Sequence, residues 1–149
     1  MNRAEQWSGW TAAACWLASW FLPVVPDYAG WQAFRAAISG PFRASFPVAG
    51  DDAIAQVLSA LSNVAFVALF WNWWRGRRLR ASLFTKLSII CLVLNLYWLV
   101  QMLRAGEYRG LQAGYYVWLA AFALLVAVGI LSVVSARRTS RTPTGGTPA

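Results

Sequence analysis

Four stretches of the chain, residues 6–26, 53–74, 87–103 and 110–136, contain no charged side chain. A helix that crosses a bilayer needs about 20 residues, with a range of roughly 17–25. Each run reaches that length, the third once Leu83 and Phe84 extend it. Only 12% of the residues are charged, about half the ~25% usual in soluble domains. In hydrocarbon every backbone N–H and C=O must be satisfied within the protein, so only helices and closed barrels cross. These long runs are continuous rather than alternating in polarity. The expected fold is therefore all-α: a polytopic membrane protein with four transmembrane helices in an antiparallel bundle. The expected helices cover residues 7–25, 53–74, 83–103 and 115–135, within one domain over residues 1–136.

The fourth run is the strongest, with eleven Leu, Ile, Val and Phe residues between Tyr115 and Ser135, together worth about −4 kcal/mol of insertion. The first is the weakest, because tryptophans (Trp7, Trp10, Trp16, Trp20) and small residues fill it. It is expected to stay attached, since Pro23-Val24-Val25-Pro26-Asp27 offers no small-x-small cleavage site.

Orientation follows from Trp71-Asn72-Trp73-Trp74-Arg75-Gly76-Arg77-Arg78-Leu79-Arg80, where an apolar run ends in indoles and a basic turn follows. Interfacial tryptophan followed by a short basic loop marks the cytoplasmic side. Arg75, Arg77, Arg78, Arg80 and Lys86 are the expected topology anchors. With that hairpin inside, nine basic residues are cytoplasmic and four (Arg35, Arg43, Arg104, Arg109) are outside. Both termini are then cytoplasmic. The outer loop, residues 26–52, contains Trp31, Phe34 and Ile38 on one helical face. It reads either as an interfacial helix over residues 28–39 capped by Asp27 or as a plain aromatic loop. Asp51-Asp52 is expected to cap the second spanning helix. Residues 137–149 are expected to be a disordered basic tail, with Arg137, Arg138 and Arg141 at the anionic headgroups of the inner leaflet.

The polar residues inside the runs are uncharged. Gln56, Ser59 and Asn63 share one helical face, as do Ser88, Cys91, Asn95, Trp98 and Met102. Amides do not face lipid, so Gln56, Ser59, Asn63, Asn95 and Gln101 are expected to make interhelical contacts, or alternatively to line a polar pocket. Trp16 and Trp98 lie deeper than the belt positions and read as bulky packing or as cavity lining. Rows of small residues (Thr11, Cys15 and Ser19; Ala14 and Ala18; Ala123, Ala127 and Gly129) suit close helix approach.

Several function classes are disfavoured. There is no histidine, and Cys15 and Cys91 lie in apolar runs without metal-ligand spacing, so neither metal nor cofactor is expected. No nucleophile–base pair, phosphate loop or intramembrane carboxylate occurs in the four runs, which argues against an enzyme and against proton-coupled transport. The net charge of +8 is confined to short segments between apolar runs, leaving no basic face for nucleic acid.

Gly110-Leu111-Gln112-Ala113-Gly114-Tyr115-Tyr116-Val117-Trp118-Leu119 and Gly30-Trp31-Gln32-Ala33-Phe34 resemble segments of a loose group of small, uncharacterised four-helix bacterial inner-membrane proteins. Those proteins open the last helix with Gly-Tyr-Tyr-x-Trp-Leu and place a Gly-Trp-x-Ala-Phe-like segment after the first. Here Val117 stands where leucine is usual, and the inner hairpin is richer in arginine. The resemblance implies residence in the bacterial inner membrane and no particular activity. The expected role is a non-enzymatic accessory or interaction subunit, contacting lipids and a protein partner or further copies of itself. The alternative is a small channel or carrier for a neutral or lipid-like solute.

Overall fold

The computed structural model describes residues 3–39, 50–76, 79–104, 106 and 108–139, with the side chains of residues 50–53, 108, 138 and 139 excepted. Helix α1 (Arg3–Phe21) leads into an antiparallel hairpin of β1 (Pro23–Val25) and β2 (Tyr28–Ala29), and α2 (Gly30–Ser39) follows at once. Then come α3 (Gly50–Trp74), α4 (Ala81–Arg104), a 3-10 turn (Tyr108–Gly110) and α5 (Ala113–Thr139).

Among the described residues three helices are long and apolar enough to cross a membrane: Ile54–Trp74, Ala81–Arg104 and Ala113–Arg137. The expected four spans are thus three by this measure. Helix α1 is 19 residues long, but indoles, small residues and the polar Arg3, Glu5, Gln6 and Ser8 dilute its apolar character. It also ends earlier than expected. Pro23 lacks the amide hydrogen a helix needs, and Val24 and Val25, which suit a helix or a strand, here form β1. Asp27 sits in the hairpin turn in the left-handed region, φ 67°, not at a helix cap. The N-terminus of α2 is closed instead by Gln32, whose Oε1 accepts the Ala29 N–H at 2.8 Å. Of the two readings of the outer loop, residues 30–39 are helical. The expected Asp51-Asp52 cap falls on side chains outside the described set. At the other end α5 continues through Arg137 to Thr139, where cationic side chains favour a helix C-terminus. The rest of the expected tail, from Ser140, lies outside the described residues.

The long helices run alternately up and down. The end at which the basic hairpin joins α3 to α4 also holds the start of α1 and the end of α5: Glu5 meets both Trp73 and Ser132 there. The surface is apolar, unlike that of a water-soluble bundle. The outward faces carry Ile54, Leu58, Leu61, Val64 and Val67 on α3, Ile90 and Val93 on α4, and Ile130 and Val134 on α5. Buried inside are Ser19, Ser59, Ser62, Asn63, Ser88 and Asn95 alongside Phe66, Phe122, Leu125 and Val128. An apolar exterior of this extent marks a surface that meets lipid or protein rather than water.

Helix α1 lies closest to α5, where Ala12 and Ala121 are both fully buried. Against α3 it is held off by rings: Trp16 stacks on Phe66 with centroids 5.4 Å apart, and Trp10 meets Phe70 edge-on at 5.6 Å. The β-hairpin joins the C-terminal end of α1 to the N-terminal end of α5. Gln112 N donates to Val24 O at 2.9 Å, and at Gly114 a side-chain carbon would lie 2.6 Å from Pro23 O and 2.7 Å from Leu22 O. Gly110 faces open space. Although alanine favours helix over glycine by about 1 kcal/mol, overpacking costs about 1–3 kcal/mol. Gly114→Ala is therefore expected to lower the thermal unfolding midpoint in detergent, and Gly110→Ala to leave it unchanged.

Candidate functional site

Two amides organise the interior, one on each of the middle helices. Asn95 of α4 is fully committed. Its Nδ2 donates to Ser62 Oγ at 3.1 Å and to Cys91 O at 2.8 Å, and its Oδ1 accepts from Ser59 Oγ at 2.8 Å. The Tyr115 hydroxyl donates to its backbone carbonyl at 2.6 Å. Asn95 so links α3, α4 and α5, with no exposed surface. Asn63 of α3 is the meeting point of two indoles: Trp16 Nε1 from α1 and Trp118 Nε1 from α5 donate to its Oδ1 at 3.0 and 2.9 Å. Its Nδ2 donates to Ala60 O at 3.2 Å, and an amide nitrogen carries a second hydrogen.

Toward α2, a cavity of about 740 Å³ opens between α2, the N-terminal halves of α3 and α5 and the C-terminal half of α4. Asn63, Ser59 and Tyr115 form its polar floor, with Gln56 on the wall. Trp20, Trp98, Met102, Leu111 and Trp118 supply apolar surface, and Arg35 of α2 is the charged residue among its described lining. The volume falls within the roughly 300–1,000 Å³ of small-molecule sites, which pair apolar walls with a few convergent polar groups.

The stripe Ser88, Cys91, Asn95, Trp98 and Met102 therefore divides. Its first three residues are buried in the core, and Trp98 and Met102 line the cavity. Ser59 and Asn63 make contacts between helices, while Gln56 belongs to the cavity wall. Gln101 does not reach another helix by its amide nitrogen, which donates to Tyr97 Oη one turn back on α4 at 2.6 Å. Of the topology anchors, Arg75 lies over the Trp71 ring at 4.2 Å, Arg80 and Lys86 are exposed, and Arg77 and Arg78 lie outside the described residues.

A second polar centre, at the end where the basic hairpin joins α3 to α4, is built on Glu5, which lies just outside the first uncharged run. Glu5 is only 5% exposed. Trp73 Nε1 donates to its Oε1 at 3.3 Å, and Ser132 Oγ lies 2.9 Å from the same oxygen. Gly9 makes room for this, since any side chain there would overlap the Trp73 ring. The available signal is the Glu5–Gly9 spacing, which puts both on one helical face beside the span. Among the described residues no group of three or more His, Cys, Asp or Glu could hold a metal ion.

No family model, curated protein or solved structure matches this chain.

Interhelical hydrogen bonds in membrane proteins average about 0.6 kcal/mol, but stranding a buried donor or acceptor costs about 1–3 kcal/mol. Asn95→Leu strands several groups at once, and Gln101→Leu removes a bond within one helix. Thermal unfolding followed by circular dichroism should show Asn95→Leu destabilised by about 2–3 kcal/mol, with Gln101→Leu within about 0.5 kcal/mol of wild type.

Proposed function

We propose that the chain is a bacterial inner-membrane protein in which α1 joins the three apolar helices as a fourth membrane-embedded helix, with both termini cytoplasmic, and that it binds or carries a lipid-like solute in the cavity beneath α2. The observation that carries this reading is the cavity itself: an open, largely apolar recess with an uncharged amide and hydroxyl floor, between helices whose outward faces are apolar. The alternative in which Gln56, Ser59, Asn63, Asn95 and Gln101 line a polar pocket is narrowed accordingly. Gln56 and Asn63 face the chamber, while every polar atom of the Asn95 side chain is already used within the bundle. Asn63 retains an N–H, and Ser59 and Tyr115, whose hydroxyl hydrogens are committed, retain acceptor lone pairs. A hydroxyl, ester or amide head is matched by that set.

The accessory-subunit reading has its own support in α1. Thr11, Ala14 and Ala18 are exposed there, a small-residue row open to close approach by a partner helix or a second copy.

A ligand that binds only the folded state stabilises it by about 2.7 kcal/mol at a hundred times its dissociation constant. A long-chain monoacylglycerol is therefore expected to raise the unfolding midpoint of the detergent-solubilised protein. Gln56→Trp, which fills the chamber, should abolish the rise, and Ile90→Trp, on the outer face of α4, should preserve it. Equal rises in all three proteins, or none in wild type, would contradict the reading.

A further inference from the structure

A second concavity adjoins the cavity. Lined by Trp16, Trp20, Phe34, Val64, Val67, Ala68 and Trp71 as well as Asn63, it runs along the seam between α1 and α3. Trp20, Phe34 and Asn63 border both spaces. The seam exists because rings, not small residues, separate α1 from α3. Stacked Trp16 and Phe66 hold the two backbones apart, while small residues bring α1 against α5. Trp20 and Phe34, 5.2 Å apart at the outer end, stand where the seam meets the cavity. From Asn63 to Trp71 the groove extends about 12 Å along α3 at 1.5 Å per residue. Its floor is Val64, Val67 and Ala68, all on the exposed face of that helix.

We propose that this seam is a lateral portal from the bilayer into the cavity, and that the occupant is a single-chain amphiphile with an anionic head. Its hydrocarbon tail lies along Val64, Val67, Ala68 and Trp71, and its head lies in the cavity beside Arg35. The inference rests on the reading of the cavity as a site for lipid-like molecules and adds the route, the tail site and the head charge. Two features support it. The groove is almost wholly apolar and shares Trp20, Phe34 and Asn63 with a chamber that is polar at its floor, which is the polarity profile of one amphiphile laid across both. The described cavity lining carries Arg35 and no carboxylate, so an anionic head is complemented and a cationic one is not.

The test uses the full chain in phosphatidylcholine vesicles with a monoalkyl phosphate bearing a diazirine in its chain, and with the matching neutral alkyl alcohol, each mapped by mass spectrometry after photolysis. The phosphate probe is expected to label the 63–71 segment about fivefold more than the alcohol, in keeping with an ion pair worth up to about 1 kcal/mol at a partly exposed site. Arg35→Gln should remove that preference. Ala68→Trp, which fills the groove from the exposed face, should remove labelling of the groove and of Trp98 and Met102, with helix content unchanged. Equal labelling by both probes overturns the anionic head, and labelling of Ile90 and Val93 as dense as that of the groove overturns the tail site. If Ala68→Trp leaves cavity labelling intact while Gln56→Trp removes it, the portal falls and the cavity reading stands. An unlabelled cavity in wild type defeats both.

Discussion

The structure depends on one oxygen. Asn63 Oδ1 takes two indole N–H groups, from Trp16 on α1 and Trp118 on α5, and so joins to α3 two helices that approach each other more closely than α1 approaches it. In water such an arrangement would compete with solvent for every donor. In a dry interior the alternative to Asn63 is no partner at all, so a convergence of modest bonds becomes a strong geometric constraint. Because rings make these contacts, the backbones of α1 and α3 stay apart, and the same side chains that tie the helices also leave the seam between them.

Asn95 has the complementary role. It spends its whole hydrogen-bonding capacity on α3, α4 and α5, leaving nothing toward the cavity. The two amides lie on different helices and have different surroundings: Asn95 is fully buried in the core with Phe66, Phe122, Leu125 and Val128, whereas Asn63 also borders the cavity. Apolar side chains lie outside as well as inside, so the contrast between core and surface that lets the hydrophobic effect stabilise soluble bundles is largely absent. Packing, interhelical hydrogen bonds and the cost of stranding polar atoms replace it.

Helical periodicity was enough to put Ser59, Asn63, Ser88, Cys91 and Asn95 on inward faces, because an amide in hydrocarbon has only one tolerable side to face. It says nothing of what stands opposite. The indole donors of Trp16 and Trp118 were therefore invisible as partners, although both rings were obvious as bulk. Glu5 was missed for a different reason. It lies one residue before the first uncharged run, and a boundary drawn by charge places it outside, whereas Gly9 and Trp73 fold it in. The early end of α1 turns on Pro23, since Val24 and Val25 read equally well as helix or strand. Gln101 illustrates the limit of pattern alone: its amide found Tyr97 on its own helix, a neighbour at the same spacing that suggests an interhelical face. The sequence offers a polar pocket and cavity-lining rings only as alternatives to packing, and the choice between them turns on where α2 settles.

The most direct test of the Asn63 convergence is hydrogen exchange at the indole nitrogens, read by NMR with 15N-labelled tryptophan in lipid nanodiscs. The account predicts that Trp16 and Trp118 exchange far more slowly than the exposed Trp7, and that Asn63→Leu speeds both together while Trp73, bonded to Glu5, stays protected. Rapid exchange of Trp16 or Trp118 in the wild-type protein, or protection that survives Asn63→Leu, would contradict it.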